Sequence, residues 1–301
     1  MLIFDSFNQD RAVMQAEVLP TDLQMIRDDQ RATWDEFAPG WKKWDEWVTK
    51  YLADIGAAML RGVKPAEGDN VLDVATGAGE PGLTIATMIG SGKVIGQDIS
   101  EGMLAVARES AVSRGISNYE TVACDVSELP FADDTFDVVS CRLGFMFFPD
   151  MELAAREMLR VLKPGGRFAT AVWGPPEKNF WVTGITGPMN ALLELPPPPP
   201  GAPGMFRCSD GNAMKELMLR SGFSNVSVNE INGSGEAESV EFFWSFMKEV
   251  AAQIVRAMSD ADEQMKKRID EAVLQSFRKR YPGNGPIVIQ HQALLITGTK
   301  R

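Results

Sequence analysis

The chain has 301 residues, of which 45% are hydrophobic and 24% charged, as in a globular protein with a sizeable buried core. Its formal net charge of −11 repels phosphate backbones and anionic lipid, so we expect neither nucleic acid nor a membrane as its main partner. Three cysteines and one histidine are too few for a disulfide framework or a metal-ligand cluster. The sequence has neither a signal-peptide-like segment nor an apolar run long enough to span a membrane, which favours a cytoplasmic location.

The first predicted elements are helical. Residues 22–61 follow a helical pattern that contains four tryptophans, among them Trp41 and Trp44. The dipeptide Pro39-Gly40 predicts a break into two helices. Residues 1–62 are therefore predicted to form an N-terminal arm and helical cap, followed by one domain over residues 63–301.

Short apolar runs then alternate with helical segments. The predicted strands are residues 70–75, 93–97, 120–124, 136–141 and 167–173, and the predicted helices are about residues 80–90, 101–114 and 150–162. Alternation at this spacing indicates βαβ units, and therefore an α/β fold with a parallel sheet and helices on both faces.

This alternation stops after Trp173. Residues 195–204 are rich in proline and predict a stiff polyproline-II connector. Helices follow at about 210–221, 239–258 and 260–280, with strands at 225–231 and 287–298. An apolar stripe on the second of these helices is interpreted as core: Val240, Phe243, Trp244, Met247, Val250, Ile254 and Met258. We predict that residues 174–285 form an insert and helices that cover the substrate.

The segment VLDVATGAGEPG, residues 71–82, has the pattern Gly77-x-Gly79-x-x-Gly82 between a predicted strand and a predicted helix. Glycine lets the main chain approach a nucleotide closely because it has no Cβ atom. Asp98 ends the next predicted strand, where its carboxylate can accept hydrogen bonds from both ribose hydroxyls. By themselves these features predict an adenosine-containing cofactor and fit NAD as well as S-adenosyl-L-methionine (SAM).

Three further features favour SAM. Asp73 lies in the first predicted strand, where its negative charge suits the cationic amino-acid end of SAM better than a pyrophosphate. Asp125 follows the third strand and can accept a hydrogen bond from an adenine amino group. The segment LKPGG, residues 162–166, forms a predicted tight turn before the fifth strand. Arg142, after the fourth strand, is expected to pair with a carboxylate either of the cofactor or of the protein.

Four segments, VLDVATGAGEPG, VIGQDISEGMLAVAR, ACDVSELPF and REMLRVLKPGGRF, resemble class I SAM-dependent methyltransferases. The nearest branch is that of the ubiquinone and menaquinone C-methyltransferases. The resemblance implies a Rossmann-like seven-stranded sheet of order 3-2-1-4-5-7-6 with the last strand antiparallel. It also implies SAM as cofactor and S-adenosyl-L-homocysteine (SAH) as product.

The resemblance assigns cofactor contacts to several residues. The resemblance implies that Asp73, Gly77 and Gly79 contact the methionine part of SAM and that Asp98 binds its ribose. The residues implied for the adenine are Ile99, Met103, Asp125 and Val126. Ala75 stands where such families often have glycine, a change that the loop should tolerate. The segment WDEFAPGW, residues 34–41, resembles the part of the family that folds over the cofactor with an aromatic residue.

Trp41 falls at that aromatic position and Trp44 lies one helical turn beyond it. An aromatic ring beside a sulfonium is attracted to it by about 0.5–2 kcal/mol. The alternative, that both rings only pack the cap onto the sheet, is equally compatible with the sequence.

The expected reaction is methyl transfer to a small-molecule acceptor. The chain has neither the Asn-Pro-Pro-Tyr-like segment of nucleic-acid amino methylases nor a Pro-Cys nucleophile. His291 is the one candidate for a general base, although a single histidine on a strand is also common as a structural residue. Two other functions remain open, an NAD(P)-dependent oxidoreductase and a non-catalytic protein of the same fold, and a homodimer is compatible with each.

Overall fold

The computed structural model describes residues 20–301 except 198, 200 and 284, and for residues 20–22 it describes only the main chain. The predicted N-terminal arm before residue 20 lies outside the described residues, as do two prolines of the predicted connector.

Seven strands form one sheet. In chain order they are β1 (Asn70–Val74), β2 (Lys93–Asp98), β3 (Tyr119–Ala123), β4 (Phe136–Arg142), β5 (Leu162–Trp173), β6 (Ser224–Ala237) and β7 (Ile287–Thr299). Their order in the sheet is β3-β2-β1-β4-β5-β7-β6. The first five pair in parallel, whereas β7 runs antiparallel to both β5 and β6. The predicted sheet order and the antiparallel last strand are confirmed.

Ten helices surround this sheet in the part of the chain that the structure describes. They are α1 (Pro20–Tyr51), α2 (Ala53–Val63), α3 (Gly82–Ala86), α4 (Glu101–Ser113), α5 (Met151–Val161), α6 (Phe180–Leu193), α7 (Gly211–Arg220), α8 (Val240–Val250), α9 (Ala252–Ser259) and α10 (Glu263–Arg280). Helices α3 and α4 pack on β2 and β3, and α2 packs on β4, β5, β6 and β7. Helix α1 contacts α4 at one place along its length and α8 and β6 at others, so it bridges the two ends of the sheet.

The predicted break at Pro39-Gly40 is wrong, because α1 continues through both residues and ends at Tyr51. Proline removes only one intrahelical hydrogen bond, and the burial of Phe37 and Ala38 beside it outweighs that loss. Gly40 is a point of close contact between α1 and α8, since a Cβ atom there would overlap the main-chain carbonyl of Glu249 near the end of α8.

Three other elements differ from the sequence prediction. The predicted helix 239–258 is divided into α8 and α9 at Ala251, although every residue of its apolar stripe is buried. Helix α6 was not predicted, because Gly184 and Pro188 within it weaken the helical pattern. The predicted turn 162–166 is a bulge inside β5, where Gly165 has a φ of +77° and the pairing with β4 shifts register.

A small apolar cluster connects α1 to α4. Ala38 from α1 packs with Met103 and Val106 from α4, and Trp34 and Trp41 pack against the group. This cluster places Trp34 and Trp41 beside the carboxyl ends of β1 and β2. Within the described ranges, no helix is both long enough and apolar enough to cross a bilayer.

We expect Gly40→Ala to lower the free energy of unfolding by about 1–2 kcal/mol, because the overlap with Glu249 outweighs alanine's better helix propensity. Gly56→Ala in α2 is the matched control. A Cβ atom at Gly56 meets nothing within 4 Å, so this change should raise the free energy of unfolding by up to about 1 kcal/mol. Urea denaturation of both variants measures the difference, and equal effects would contradict the close contact between α1 and α8.

Candidate functional site

A cavity of about 1210 Å³ lies at the carboxyl edge of the parallel strands. The loops after β1, β2, β3 and β4 line one part of it, and α1 lines it along most of the helix. The remaining wall comes from α6, residues 199 and 201–207, α8 and α9. Parallel α/β sheets bind ligands at this edge, so the cavity is the candidate site.

The loop between β1 and α3, residues 75–81, is the glycine loop and forms part of the cavity wall on the predicted cofactor side. Gly77 lines the cavity and has a φ of +56°, a left-handed conformation that glycine adopts without strain. Gly79 has a φ of +113° and points away from the cavity, because a Cβ atom there would overlap Leu83 of α3. The structure therefore brings Gly77 into the cavity and places Gly79 behind it as a packing residue.

Asp73 lies beneath this loop and is fully buried. Its carboxylate accepts hydrogen bonds from Thr76 Oγ1 at 2.6 Å, from Ser140 Oγ at 2.6 Å and from the Gly82 main-chain N–H at 3.1 Å. Burial raises the pKa of Asp73 to about 6, against the effect of these donors. Asp73 is absent from the cavity wall and acts on the site by fixing the shape of the loop.

Asp98 ends β2 and lines the cavity. Its Oδ2 atom accepts a hydrogen bond from Gly77 N at 3.0 Å, and its Oδ1 atom accepts one from Ser100 N at 3.0 Å. Burial raises the pKa of Asp98 to about 6. Each carboxylate oxygen has a second lone pair, so Asp98 can still accept hydrogen bonds from two ligand hydroxyls. Ile99 and Met103, which follow it, also line the cavity.

Asp125 and Val126 line the cavity just after β3. Asp125 Oδ1 accepts a hydrogen bond from Ser127 N at 2.7 Å, and its Oδ2 atom lies 3.2 Å from Nε of Arg27 on α1. An adenine amino group at Asp125 would therefore share this carboxylate with Arg27.

Ala75 and Arg142 line the other side of the glycine loop. Ala75 has a φ of +51°, which explains why glycine is common at this place in similar proteins. Its methyl group faces Gly144, where any side chain would collide with it. Burial lowers the pKa of Arg142, and the nearby acidic groups Glu80, Asp73 and Asp45 oppose that change. A carboxylate of the cofactor and a carboxylate of the protein are therefore both candidates for the partner of Arg142.

The tryptophans of the cap separate into two groups. Trp41 lines the cavity, and so does Trp34, whose ring centroid lies 6.3 Å from that of Trp41. Trp44 lies outside the cavity, where its Nε1 donates to Glu249 Oε2 at 3.1 Å and its ring contacts Phe242. The sequence prediction selected Trp44 as a cofactor contact and did not select Trp34.

His291 lies on β7 outside the cavity and is 2% exposed. Its Nε2 atom is 3.0 Å from the main-chain oxygen of Tyr51, and its ring packs against those of Tyr51 and Trp173. Burial lowers the pKa of His291, which favours a neutral ring. These contacts fix the end of α1 to the sheet and leave the ring without access to a ligand in the cavity.

Several cavity residues were not selected from the sequence. They are Arg27, Trp34, Asp45, Thr76, Glu80 and Gln97. Thr76 and Glu80 lie inside the glycine motif and Gln97 precedes Asp98, so their neighbours in the sequence were a usable signal. Arg27 and Asp45 reach the cavity only because α1 folds over it, and no local pattern indicates this. The described residues contain no group of three or more His, Cys, Asp and Glu side chains suited to a metal ion.

The other half of the cavity is apolar. Trp173 ends β5 and its ring lies 4.8 Å from that of Trp181 in α6, centroid to centroid. Among the aromatic and methionine residues of the predicted insert, Trp181, Met189, Met205 and Phe206 line the cavity, whereas Phe180 packs on Phe277 of α10. The end of residues 201–207 is held in place because Arg207 donates hydrogen bonds to the main-chain oxygens of Phe148 and Pro149.

Comparison with known proteins agrees with this geometry. The family model described as a methyltransferase domain matches residues 65–177. The ubiquinone/menaquinone biosynthesis C-methyltransferase UbiE of Cellvibrio japonicus (strain Ueda107) is 42% identical over 115 residues, which are 38% of this chain and 46% of that protein. The chain spans about half the length of the curated relatives it matches.

Two solved structures share the fold at low sequence identity. The YcgJ protein of a Bacillus species has a TM-score of 0.53 and 22% identity, covering 82% of this chain and 97% of its own. Phosphoethanolamine N-methyltransferase 2 of Haemonchus contortus, solved with phosphomonomethylethanolamine and SAH, has a TM-score of 0.54 and 18% identity, covering 92% of this chain and 60% of its own. Residues 65–177 thus match a methyltransferase domain, a segment of the chain is similar to ubiquinone/menaquinone C-methyltransferases, and the chain shares the fold of these two structures.

Proposed function

We propose that the protein is a SAM-dependent methyltransferase that acts on a small molecule with an apolar body. The observation that carries this proposal is the position of Asp98. Its buried carboxylate faces the cavity beside Gly77 of the glycine loop, within the segment that matches a methyltransferase domain. The cavity continues from this polar end into a chamber walled by aromatic and methionine side chains.

The residues present fit SAM. A cavity of about 1210 Å³ exceeds the roughly 300–1,000 Å³ of a typical ligand pocket, so it has room for a cofactor and an acceptor together. In this proposal Asp98 holds the ribose, while Ile99, Met103, Asp125 and Val126 surround the adenine. Gly77, Ala75 and Arg142 lie at the methionine end, and Trp41 covers it.

When bound, SAM supplies a methyl group that is already activated on a sulfonium. The protein then has to align the acceptor and exclude water, and such alignment contributes roughly 7–11 kcal/mol to comparable reactions. Helix α1 and the insert provide the enclosing walls. His291 lies outside the cavity, so the proposed reaction does not use it as a general base.

The side chains that line the cavity indicate the kind of methyl acceptor. The match to the C-methyltransferase covers 38% of this chain, and the family model ends at residue 177, near the start of the insert. The aromatic walls that residues 174–285 contribute favour an apolar acceptor. In this proposal residues 1–62 are the arm and cap, and residues 63–301 are the catalytic domain with that insert as its lid.

We propose a cytoplasmic protein with neither nucleic acid nor a membrane as partner. The net charge of −11 supports this assignment, because it repels phosphate and anionic lipid alike. A homodimer stays a prediction that sedimentation of the purified chain would decide.

Calorimetric titration tests the cofactor. We expect SAM and SAH to bind with micromolar affinity and NAD not to bind. Asp98→Ala should weaken SAH binding on the order of a hundredfold, because two hydrogen bonds to a charged group are lost. Glu128→Gln, an exposed carboxylate near the same sheet edge, is the control and should bind SAH normally. Tight NAD binding without SAM affinity would instead identify an oxidoreductase.

The pH dependence of SAH binding tests Asp98 separately. Its pKa is raised to about 6 in the unliganded chain, and a ribose hydroxyl hydrogen-bonds best to the ionised carboxylate. Affinity should therefore be constant above neutrality and fall as the pH decreases through about 6. Asp98→Asn is uncharged at every pH and should give a flatter profile. Asp73, whose pKa is also raised to about 6, stays intact in that variant. Parallel profiles for the two proteins would assign the titration to a group other than Asp98.

A further inference from the structure

The predicted cofactor contacts are buried although they line a cavity. Asp98 is 7% exposed, Met103 4% and Val126 5%. Helix α1 covers them, since Arg27 reaches Asp125 and Ala38 packs on Met103. The first part of α1 therefore forms a cover over this half of the cavity.

Asp35 fastens this part of α1 to the start of α4. Its Oδ1 atom accepts hydrogen bonds from Ser100 Oγ at 2.6 Å and from Gly102 N at 2.9 Å. Gly102 N is one of the first N–H groups of α4, which no carbonyl within the helix can satisfy, and a carboxylate there also interacts favourably with the helix dipole. Glycine at position 102 permits the close approach, because a Cβ atom would lie 3.1 Å from Asp35 Oδ1.

Ser100 connects this contact to the ribose site. It is fully buried, and its hydroxyl both donates to Asp35 and accepts from Met103 N at 3.0 Å. Its main-chain N–H donates to Asp98 Oδ1 at 3.0 Å, while Asp98 Oδ2 accepts from Gly77 N. One hydrogen-bonded chain thus extends from the covering helix through Ser100 and Asp98 to the glycine loop.

We propose that Asp35 is a positioning residue that couples closure of α1 to cofactor binding by Asp98. The proposal rests on the proposed function, since it takes the ligand of Asp98 to be SAM or SAH. Asp35 touches neither the cavity nor the reacting groups, so its effect passes through Ser100 and the first turn of α4. A ligand that contacts Asp98 stabilises the closed helix, and by the same linkage the closed helix strengthens binding of the ligand.

Asp35 is exposed, so its substitution removes the two hydrogen bonds without opening a hole in the core. We expect Asp35→Ala in the full chain to increase the dissociation rate of SAH on the order of tenfold, with a matching rise in Kd. Asp35→Asn keeps an oxygen that can accept from Ser100 and Gly102, and should restore most of the affinity. Asp28→Ala is the matched control on the same helix, because among the described residues Asp28 accepts hydrogen bonds from its helix neighbours Gln24 and Arg31.

Hydrogen exchange gives a readout that a purely structural role would not change. In the unaltered chain, saturating SAH should slow exchange in residues 24–45 as well as in the glycine loop. In Asp35→Ala, saturating SAH should still protect the loop but protect α1 much less. Absence of α1 protection in the unaltered chain, or normal SAH kinetics in Asp35→Ala, would overturn the proposal. Failure of the unaltered chain to bind SAH would be a different result, because it contradicts the proposed function itself.

Discussion

The site depends on one buried carboxylate that joins two loops. Asp98 accepts a main-chain hydrogen bond from Gly77 with one oxygen and from Ser100 with the other, and so fixes the glycine loop to the start of α4. Burying a carboxylate is unfavourable, as its raised pKa shows, and the two N–H donors offset part of that cost. Asp73 does the same beneath the loop with three donors. The glycine loop is therefore held from both sides before any ligand binds.

Helix α1 completes both halves of the cavity. Its first part covers the predicted adenosine site through Arg27, Asp35 and Trp34, and its last part lines the apolar chamber through Val48 and Tyr51. His291 fixes the end of the helix to β7 by its contact with the Tyr51 carbonyl. The helix is held near its start by the polar contacts of Arg27 and Asp35 and by the packing of Ala38 on α4. Opening at that start would uncover the predicted adenosine site.

Local patterns in the sequence were sufficient for the sheet and for the predicted cofactor loop. The glycine motif, Asp98 and Asp125 each lie at the end of an apolar run, and the topology of parallel strands brings such ends to one edge. The order of all seven strands and the antiparallel direction of the last came from the family resemblance. Glycine spacing also drew attention to this loop, in which Gly77 faces the cavity whereas Gly79 packs against Leu83.

Contacts between distant parts of the chain were not predictable in the same way. Pro39-Gly40 is locally a breaker, yet α1 continues because Gly40 packs against Glu249, far along the chain. Trp34 and Trp44 both stand near Trp41, and only the direction in which α1 crosses the sheet places Trp34 in the cavity and Trp44 on Glu249. Arg27 reaches Asp125 for the same reason. The helix's orientation, which decides these contacts, is set by α4, α8 and β6 together.

A crystal structure of the full chain with SAH tests the central claim most directly. The account predicts both ribose hydroxyls at hydrogen-bond distance from Asp98, the adenine between Ile99 and Met103, and the sulfur atom turned toward the apolar chamber. Density for SAH elsewhere, or an adenosine whose ribose does not contact Asp98, would contradict the account.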